Sequence, residues 1–203
     1  VSLVSMAPGG ATAGLRTALA MGAAGAVLVS DDALAGCDAL GTAKVLAAAI
    51  KRAEPDLILT ATESSDGYTG TVPVQIAELL GLPSVTFAKE IALADGGVQV
   101  KRQTEAGYDD VACPLPCLVS VTAGVVEPRY PSFKGIMGAK SKPVEELSIA
   151  DLGIEAGSVG WAGAGQEITD IEQASAREAG EVFVDEGDGH ERILAFLEEL
   201  KVI

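Results

Sequence analysis

Asp56-Leu57-Ile58-Leu59-Thr60, followed by Ala61-Thr62-Glu63-Ser64-Ser65-Asp66-Gly67-Tyr68-Thr69-Gly70-Thr71, decides the fold. The opening five residues are an apolar run too short for a helix and read as a buried strand. The hydroxyl- and glycine-rich stretch behind them reads as a loop. A helix follows, with Pro73 in its first turn and Gly81 just past its end, which matches the start and stop preferences of helices. Strand, loop and helix in this order make one unit of a parallel α/β sheet.

The same order recurs upstream. Leu3-Val4-Ser5-Met6 reads as a short buried strand ending at Ala7-Pro8-Gly9-Gly10. Thr12 is expected to cap a helix that carries Leu15, Ala18 and Leu19 on one face and stops at Gly22. Ala26-Val27-Leu28-Val29 is the next strand. Asp38 then opens a helix with Leu40, Ala43, Ala47 and Ile50 at helical spacing, ended by Pro55. Strands joined by helices imply a parallel sheet covered on both faces.

Downstream of Leu82-Pro83 the pattern changes. Ile91-Ala92-Leu93, Asp95-Gly96-Gly97 and Val98-Gln99-Val100 read as a hairpin around a glycine turn. The run from Val111 to Val121 contains two prolines, which points to an edge strand or a bulge. From Glu127 to Pro143 the chain is basic, and beyond Leu147 a polar, glycine-rich stretch reads as an extended arm. The last helix gathers Ile193, Leu194, Phe196, Leu197 and Leu200 on one face, an apolar stripe that needs a surface to rest on.

Composition narrows the function. With 48% hydrophobic residues the chain can build a core, which excludes disorder throughout. Lys and Arg number 14 against 29 Asp and Glu, a net charge of −15 that would repel a nucleic-acid backbone. No apolar run reaches the ~20 residues of a membrane span. Cys37, Cys113 and Cys117 are an odd number without C-x-x-C spacing, so they read as reduced thiols. His190, the only histidine, lies among Gly187, Asp188 and Gly189 and reads as a surface residue. No Ser/His/acid, Cys/His or zinc-binding set can be assembled around it, and the sequence presents no catalytic constellation of its own.

Two stretches stand out as sites. In Thr62–Thr71, Gly67 and Gly70 let a ligand approach the backbone, and the following helix offers unpaired N–H groups to a phosphate. The stretch has no Lys for a γ-phosphate, and on pattern alone it is either a nucleotide cradle or an ordinary capping loop. In Glu127–Lys140, Phe133, Ile136 and Met137 sit among Arg129, Lys134 and Lys140. Such a mixture suits a protein interface, or else a covering loop that tucks Phe133 into its own core.

Val4-Ser5-Met6-Ala7-Pro8 with Arg16-Thr17-Ala18-Leu19-Ala20-Met21-Gly22-Ala23 resembles the beta subunit of electron-transfer flavoproteins. So do Ser65-Asp66-Gly67 through Thr69-Gly70, Ala150-Asp151-Leu152-Gly153-Ile154 and, most specifically, Glu127-Pro128-Arg129-Tyr130-Pro131-Ser132-Phe133-Lys134-Gly135-Ile136-Met137. The resemblance runs in order over essentially the whole chain. It implies a parallel-sheet, adenine-nucleotide-hydrolase-like (Rossmann-like) α/β fold, with an added antiparallel hairpin region and an extended C-terminal arm. Residues 1–147 would form the nucleotide-binding domain, including a docking loop at 127–142, and 148–203 an arm and helix packing on the alpha subunit.

In function, the resemblance implies a non-enzymatic electron carrier. It would be a heterodimer with an alpha subunit that holds the redox FAD, takes electrons from acyl-CoA and other dehydrogenases and passes them to a quinone-linked acceptor. AMP would be held by Met6, Ala61, Thr62, Glu63, Ser64, Ser65, Asp66, Gly67, Tyr68 and Thr69. A bifurcating-type subunit would carry a second FAD in that place, and a universal-stress-like nucleotide-binding module is the alternative from another class. Dehydrogenases would dock on Tyr130, Phe133, Lys134, Ile136 and Met137, with Phe133 as the apolar anchor. The location implied is cytoplasmic in a bacterium, or the mitochondrial matrix in a eukaryote. The family's first strand, which is central to its sheet, has no counterpart before Val1, so Leu3–Ser5 is expected beside a gap.

Overall fold

The computed structural model describes residues 1–176, 180 and 182–203. The chain divides into two compact units, Val1–Glu167 and Ile168–Ile203. Residues 148–167, read as the start of an arm, belong to the first unit.

Eight strands lie in the first unit: β1 (Ser2–Met6), β2 (Gly25–Val29), β3 (Leu57–Ala61), β4 (Ser84–Ala94), β5 (Gly97–Thr104), β6 (Gly107–Pro114), β7 (Cys117–Val121) and β8 (Val144–Leu147). Its helices are α1 (Thr12–Ala20), α2 (Ala39–Lys51), α3 (Val72–Leu80), α4 (Phe133–Ala139) and the single turn α5 (Gly160–Gly163). The strands form two sheets, in the orders β1-β2-β8 and β3-β7-β4-β5-β6. Pairing is parallel throughout the first sheet and among β3, β7 and the start of β4. It turns antiparallel at β4-β5 and β5-β6. The layers are therefore those of a parallel, Rossmann-like α/β protein with an added hairpin region. Among the described residues, β1 and β3 each keep one edge without a strand partner, and Leu3–Ser5 lies on such an edge.

One helix joins the two sheets. Ala43, Ala47 and Ile50 on α2 pack with Ile58, Ile76 and Leu118 of the five-stranded sheet and α3. Val45 and Ala49, on the adjoining face, pack with Val29, Leu34, Ile149 and Val159. The alanines that lower the side-chain bulk of α2 let both layers approach its backbone. Asp38 caps the helix, accepting the Gly41 N–H at 2.7 Å, as the sequence indicates.

Several local expectations shift. Thr12 does not cap α1; its hydroxyl donates back to the Gly9 carbonyl, while Ala11 holds the cap position without a side-chain bond. The Val111–Val121 run divides in two around the turn at Leu115-Pro116. Pro114 ends the edge strand β6, while β7 becomes an interior strand between β3 and β4. A second hairpin, β5-β6, closes at Glu105-Ala106 with no strong turn signal in the sequence. Cys113 and Cys117 are core thiols, and burial, with Cys113 beside it, pushes the Cys117 thiol up to about 11.

In the second unit, α6 (Gly189–Glu199) begins where the Asp185 carboxylate accepts the Gly187 and Gly189 N–H groups. Ile193, Leu194, Phe196 and Leu200 remain largely exposed.

Candidate functional site

The loop at the carboxyl end of β3 lies where open parallel sheets bind ligands. Thr60 pairs in register with Ser120 of β7, and Ala61 with Val121. Ser120 is 1% exposed, and its hydroxyl accepts the Phe87 N–H at 3.2 Å. That bond holds a bulge in β4, where Phe87 takes φ +59° and register slips between Val85 and Ala88. A bulky residue in the left-handed region carries a strain of about 1–3 kcal/mol that its surroundings must offset. The Thr60 hydroxyl is buried with no hydrogen-bond partner. Gln75 Oε1, in α3, and Arg102 Nε, on β5, are likewise buried without a partner among the described residues.

Above this layer the loop is tied down at its two ends. Thr62 donates its hydroxyl to the Val121 carbonyl at 3.0 Å. The Tyr68 N–H reaches the Ser64 carbonyl at 3.1 Å, with Tyr68 itself at φ +48° and its ring exposed. Between them Glu63 and Ser65 are exposed, as is Thr69 just beyond. No side chain caps α3, and Pro73 removes one of its first donors. The remaining N–H groups of that first turn keep the partial positive charge of a helix start.

Asp66 complicates a simple anion cradle. Its carboxylate accepts the Gly67 N–H at 2.8 Å, and a hydrogen bond from Ser64, with that N–H second, holds it below the usual carboxylate range. One of the amides that the sequence offered to a phosphate is thus already used. The start of α3 is not free of negative charge either, since a Cβ on Gly70 would lie 3.7 Å from the Glu63 carboxylate.

The structure adds residues that the sequence reading missed. β7 runs out beside β3, and Thr122 bonds the Ala88 carbonyl through both its N–H and its hydroxyl. Lys89 donates to the Ala123 carbonyl at 3.1 Å, bringing a cation to this end of the sheet. The apolar run Cys117–Val121 breaking at Thr122-Ala123-Gly124 was the available signal. Met6 ends β1 in the three-stranded sheet, where it packs with Val29, Leu34 and Val45. Two surface hollows lie elsewhere, one against Lys44, Ala47 and Leu80 and one against Trp161 and Gly165.

The basic segment is not irregular throughout. Ser132 accepts the Gly135 N–H and caps α4. On this helix Phe133, Ile136 and Met137 share one face by their i, i+3, i+4 spacing. That face points outward: Phe133 is 86% exposed and Met137 59%, with Lys134 exposed beside them and Tyr130, just before the helix, 95% exposed. The alternative, that Phe133 is tucked into the core of its own chain, is therefore wrong within this unit. The cap signal Ser132-x-x-Gly135 is visible in the sequence, but two glycines in seven residues hide the helix.

A parallel-dominated α/β layer with an added antiparallel hairpin region defines a Rossmann-like α/β protein. Comparison with known sequences makes the class specific. A family model described as the electron transfer flavoprotein domain matches residues 1–152. The chain is 41% identical to electron transfer flavoprotein subunit beta of Mycobacterium leprae, over all of this chain and 77% of the relative. It is 36% identical to the subunit beta of Thermoanaerobacterium thermosaccharolyticum, over 90% of this chain and 71% of the relative. It is also 39% identical to the caffeyl-CoA reductase–Etf complex subunit CarD of Acetobacterium woodii, over 76% of this chain and 59% of that protein. The chain belongs to the beta-subunit family of electron transfer flavoproteins. Among the described residues, no helix is long and apolar enough to cross a membrane.

Proposed function

We propose that this chain is the AMP-holding, dehydrogenase-docking subunit of a heterodimeric electron transfer flavoprotein. Its partner is an alpha subunit that carries the redox FAD, and the pair moves electrons from acyl-CoA and related dehydrogenases to a quinone-linked acceptor in the bacterial cytoplasm. The subunit contributes no catalytic residue. Ala61–Thr69 and Met6 hold AMP, with Thr122 and Lys89 completing the wall. The phosphate is held by backbone amides of the loop after Thr60, with its Ser and Thr hydroxyls assisting. AMP serves a structural purpose here: a ligand that binds only the folded state stabilises it by about 2.7 kcal/mol at a hundredfold excess over its Kd.

The observation that carries this reading is the unpartnered Thr60 hydroxyl beneath an open loop at the carboxyl end of β3. Family membership sets aside the universal-stress-like alternative. Similarity to the caffeyl-CoA reductase–Etf complex subunit supports a second reading, with a second FAD in place of AMP. Denaturing the purified heterodimer and separating the released nucleotides by chromatography decides between them. One FAD and one AMP per heterodimer is expected. Two FAD and no AMP establishes the second reading, and FAD alone at one per heterodimer removes the nucleotide site from this subunit.

A further inference from the structure

The outward face of α4 raises a physical question: what holds a seven-residue helix with two internal glycines in one orientation? Helices of this length are unstable alone, and the Ser132 cap satisfies only one backbone donor. The answer lies in α1. Arg16 reaches across from the middle of α1 and donates through Nη1 to the Ala139 carbonyl at 2.8 Å and to the Lys142 carbonyl. These acceptors are at the carboxyl end of α4. Lys142 returns the contact, donating its ammonium to the Leu19 carbonyl at 2.8 Å and to the Ala23 carbonyl, at the carboxyl end of α1. Each cation sits on the negative end of the other helix.

Between the two cations the helices touch backbone to backbone. A Cβ on Gly135 would come within 2.5 Å of the Ala20 carbonyl oxygen, so only glycine fits there. Ala139, one turn on, is buried with Leu19, Ala23 and Ala26. Gly135 and Ala139 thus form the inner face, directly opposite Phe133, Ile136 and Met137.

We propose that Arg16 and Lys142 are positioning residues that form a reciprocal clamp between α1 and α4, setting the angle at which Phe133 and Met137 meet a dehydrogenase. The inference rests on the docking reading of this segment. Neither cation lies on the outward face; both act through the backbone of α4. Loss of one charge-assisted pair lets the short helix fray, and the docking face then pays its ordering cost at each encounter, an effect of roughly five- to tenfold on affinity.

The test uses the purified heterodimer with an acyl-CoA dehydrogenase as electron donor. Arg16→Gln, Lys142→Met, Arg16→Lys and Phe133→Ala are compared by KM and kcat for the dehydrogenase couple, by flavin and nucleotide content, and by hydrogen exchange of residues 132–142. Arg16→Gln and Lys142→Met are expected to raise KM five- to tenfold at unchanged kcat and cofactor content, and to accelerate exchange in 132–142. Arg16→Lys is expected to recover part of both. A normal KM in both clamp variants while Phe133→Ala raises it overturns the clamp alone. A normal KM in all of them overturns the docking reading and the clamp with it. A raised KM without faster exchange in 132–142 also overturns the clamp.

Discussion

Two loops of this protein look alike in composition and behave in opposite ways. The segment after β3 and the segment before β8 both combine glycine, hydroxyl groups and an exposed aromatic ring. In the first, one hydrogen bond reaches across to β7 and the others are local, and a buried hydroxyl and an uncapped helix start are left unsatisfied around it. In the second, the polar groups are satisfied by Ser132, Arg16 and Lys142, and what remains unsatisfied is apolar. The lesson is that a site is read from what is left over. Leftover polar groups ask for a small polar ligand, and leftover apolar surface on a rigid support asks for a protein.

The largest test of this contrast is Phe133→Ala in the heterodimer. Burying the ring against a partner contributes ~1.5–3 kcal/mol, so its loss is expected to raise the dehydrogenase KM by about ten- to a hundredfold. Flavin content and melting temperature should stay normal, since the ring is exposed in its own unit. A fall in melting temperature in step with KM would show instead that the ring supports the fold of the heterodimer. Arg129, Lys134 and Lys140 should act mainly on the salt dependence of the couple.

Next in size is Gly67→Val. A Cβ at Gly67 meets only the Ser64 hydroxyl, at 3.5 Å, and its φ is not in the left-handed region. The loop therefore tolerates the side chain, and the cost falls on the ligand: AMP retained through purification is expected to drop about tenfold, with dehydrogenase KM unchanged. Equal AMP retention would place the nucleotide away from this loop.

Thr60→Val sharpens the comparison by its sign. An orphaned buried hydroxyl costs about 1–3 kcal/mol when nothing bonds it. If AMP does not use the group, the valine raises the melting temperature of the nucleotide-free protein and leaves AMP affinity alone. The expected outcome is the higher melting temperature together with weaker AMP binding, by about fivefold or more.

The smallest effect concerns Asp66. Ser64 and the Gly67 N–H depress its titration, so the proton it gains on acidification arrives below the usual carboxylate range. The stability linked to this group is present above the unfolded value and is lost as pH falls through the folded one. An NMR titration is expected to show that low midpoint, moving upward in Ser64→Ala. An unmoved midpoint would remove the hydroxyl as its main cause.

The parallel α/β order was legible because each strand in the first half is a short apolar run followed by a patterned helix, and Pro73 with Gly81 marks α3 unambiguously. The interior position of β7 was not. Its prolines signal an edge, and only the division of the run at Leu115-Pro116 reveals that Pro114 belongs to β6. The Ala61–Thr69 loop could be found from composition. Its neighbours Thr122 and Lys89 could not, because strand order, which brings β7 and β4 beside β3, is a long-range fact. α4 was hidden for a local reason: glycines 135 and 138 lower its propensity, and tertiary bonds from α1 restore the helix.

The double face of α2 bears on how the first unit comes apart. Two sheets with no shared ladder would ordinarily be able to melt one after the other. Here Ala43, Ala47 and Ile50 belong to one core while Val45 and Ala49 belong to the other, and Val4 packs against both. Opening either layer strips a face of the same thirteen-residue helix and exposes the second core behind it. Denaturation of Val1–Glu167 is therefore expected to be a single cooperative event, with the α2 amides among the last to exchange. A large substitution at Ala47 should lower the stability of β1 and β3 alike, although no hydrogen bond joins them.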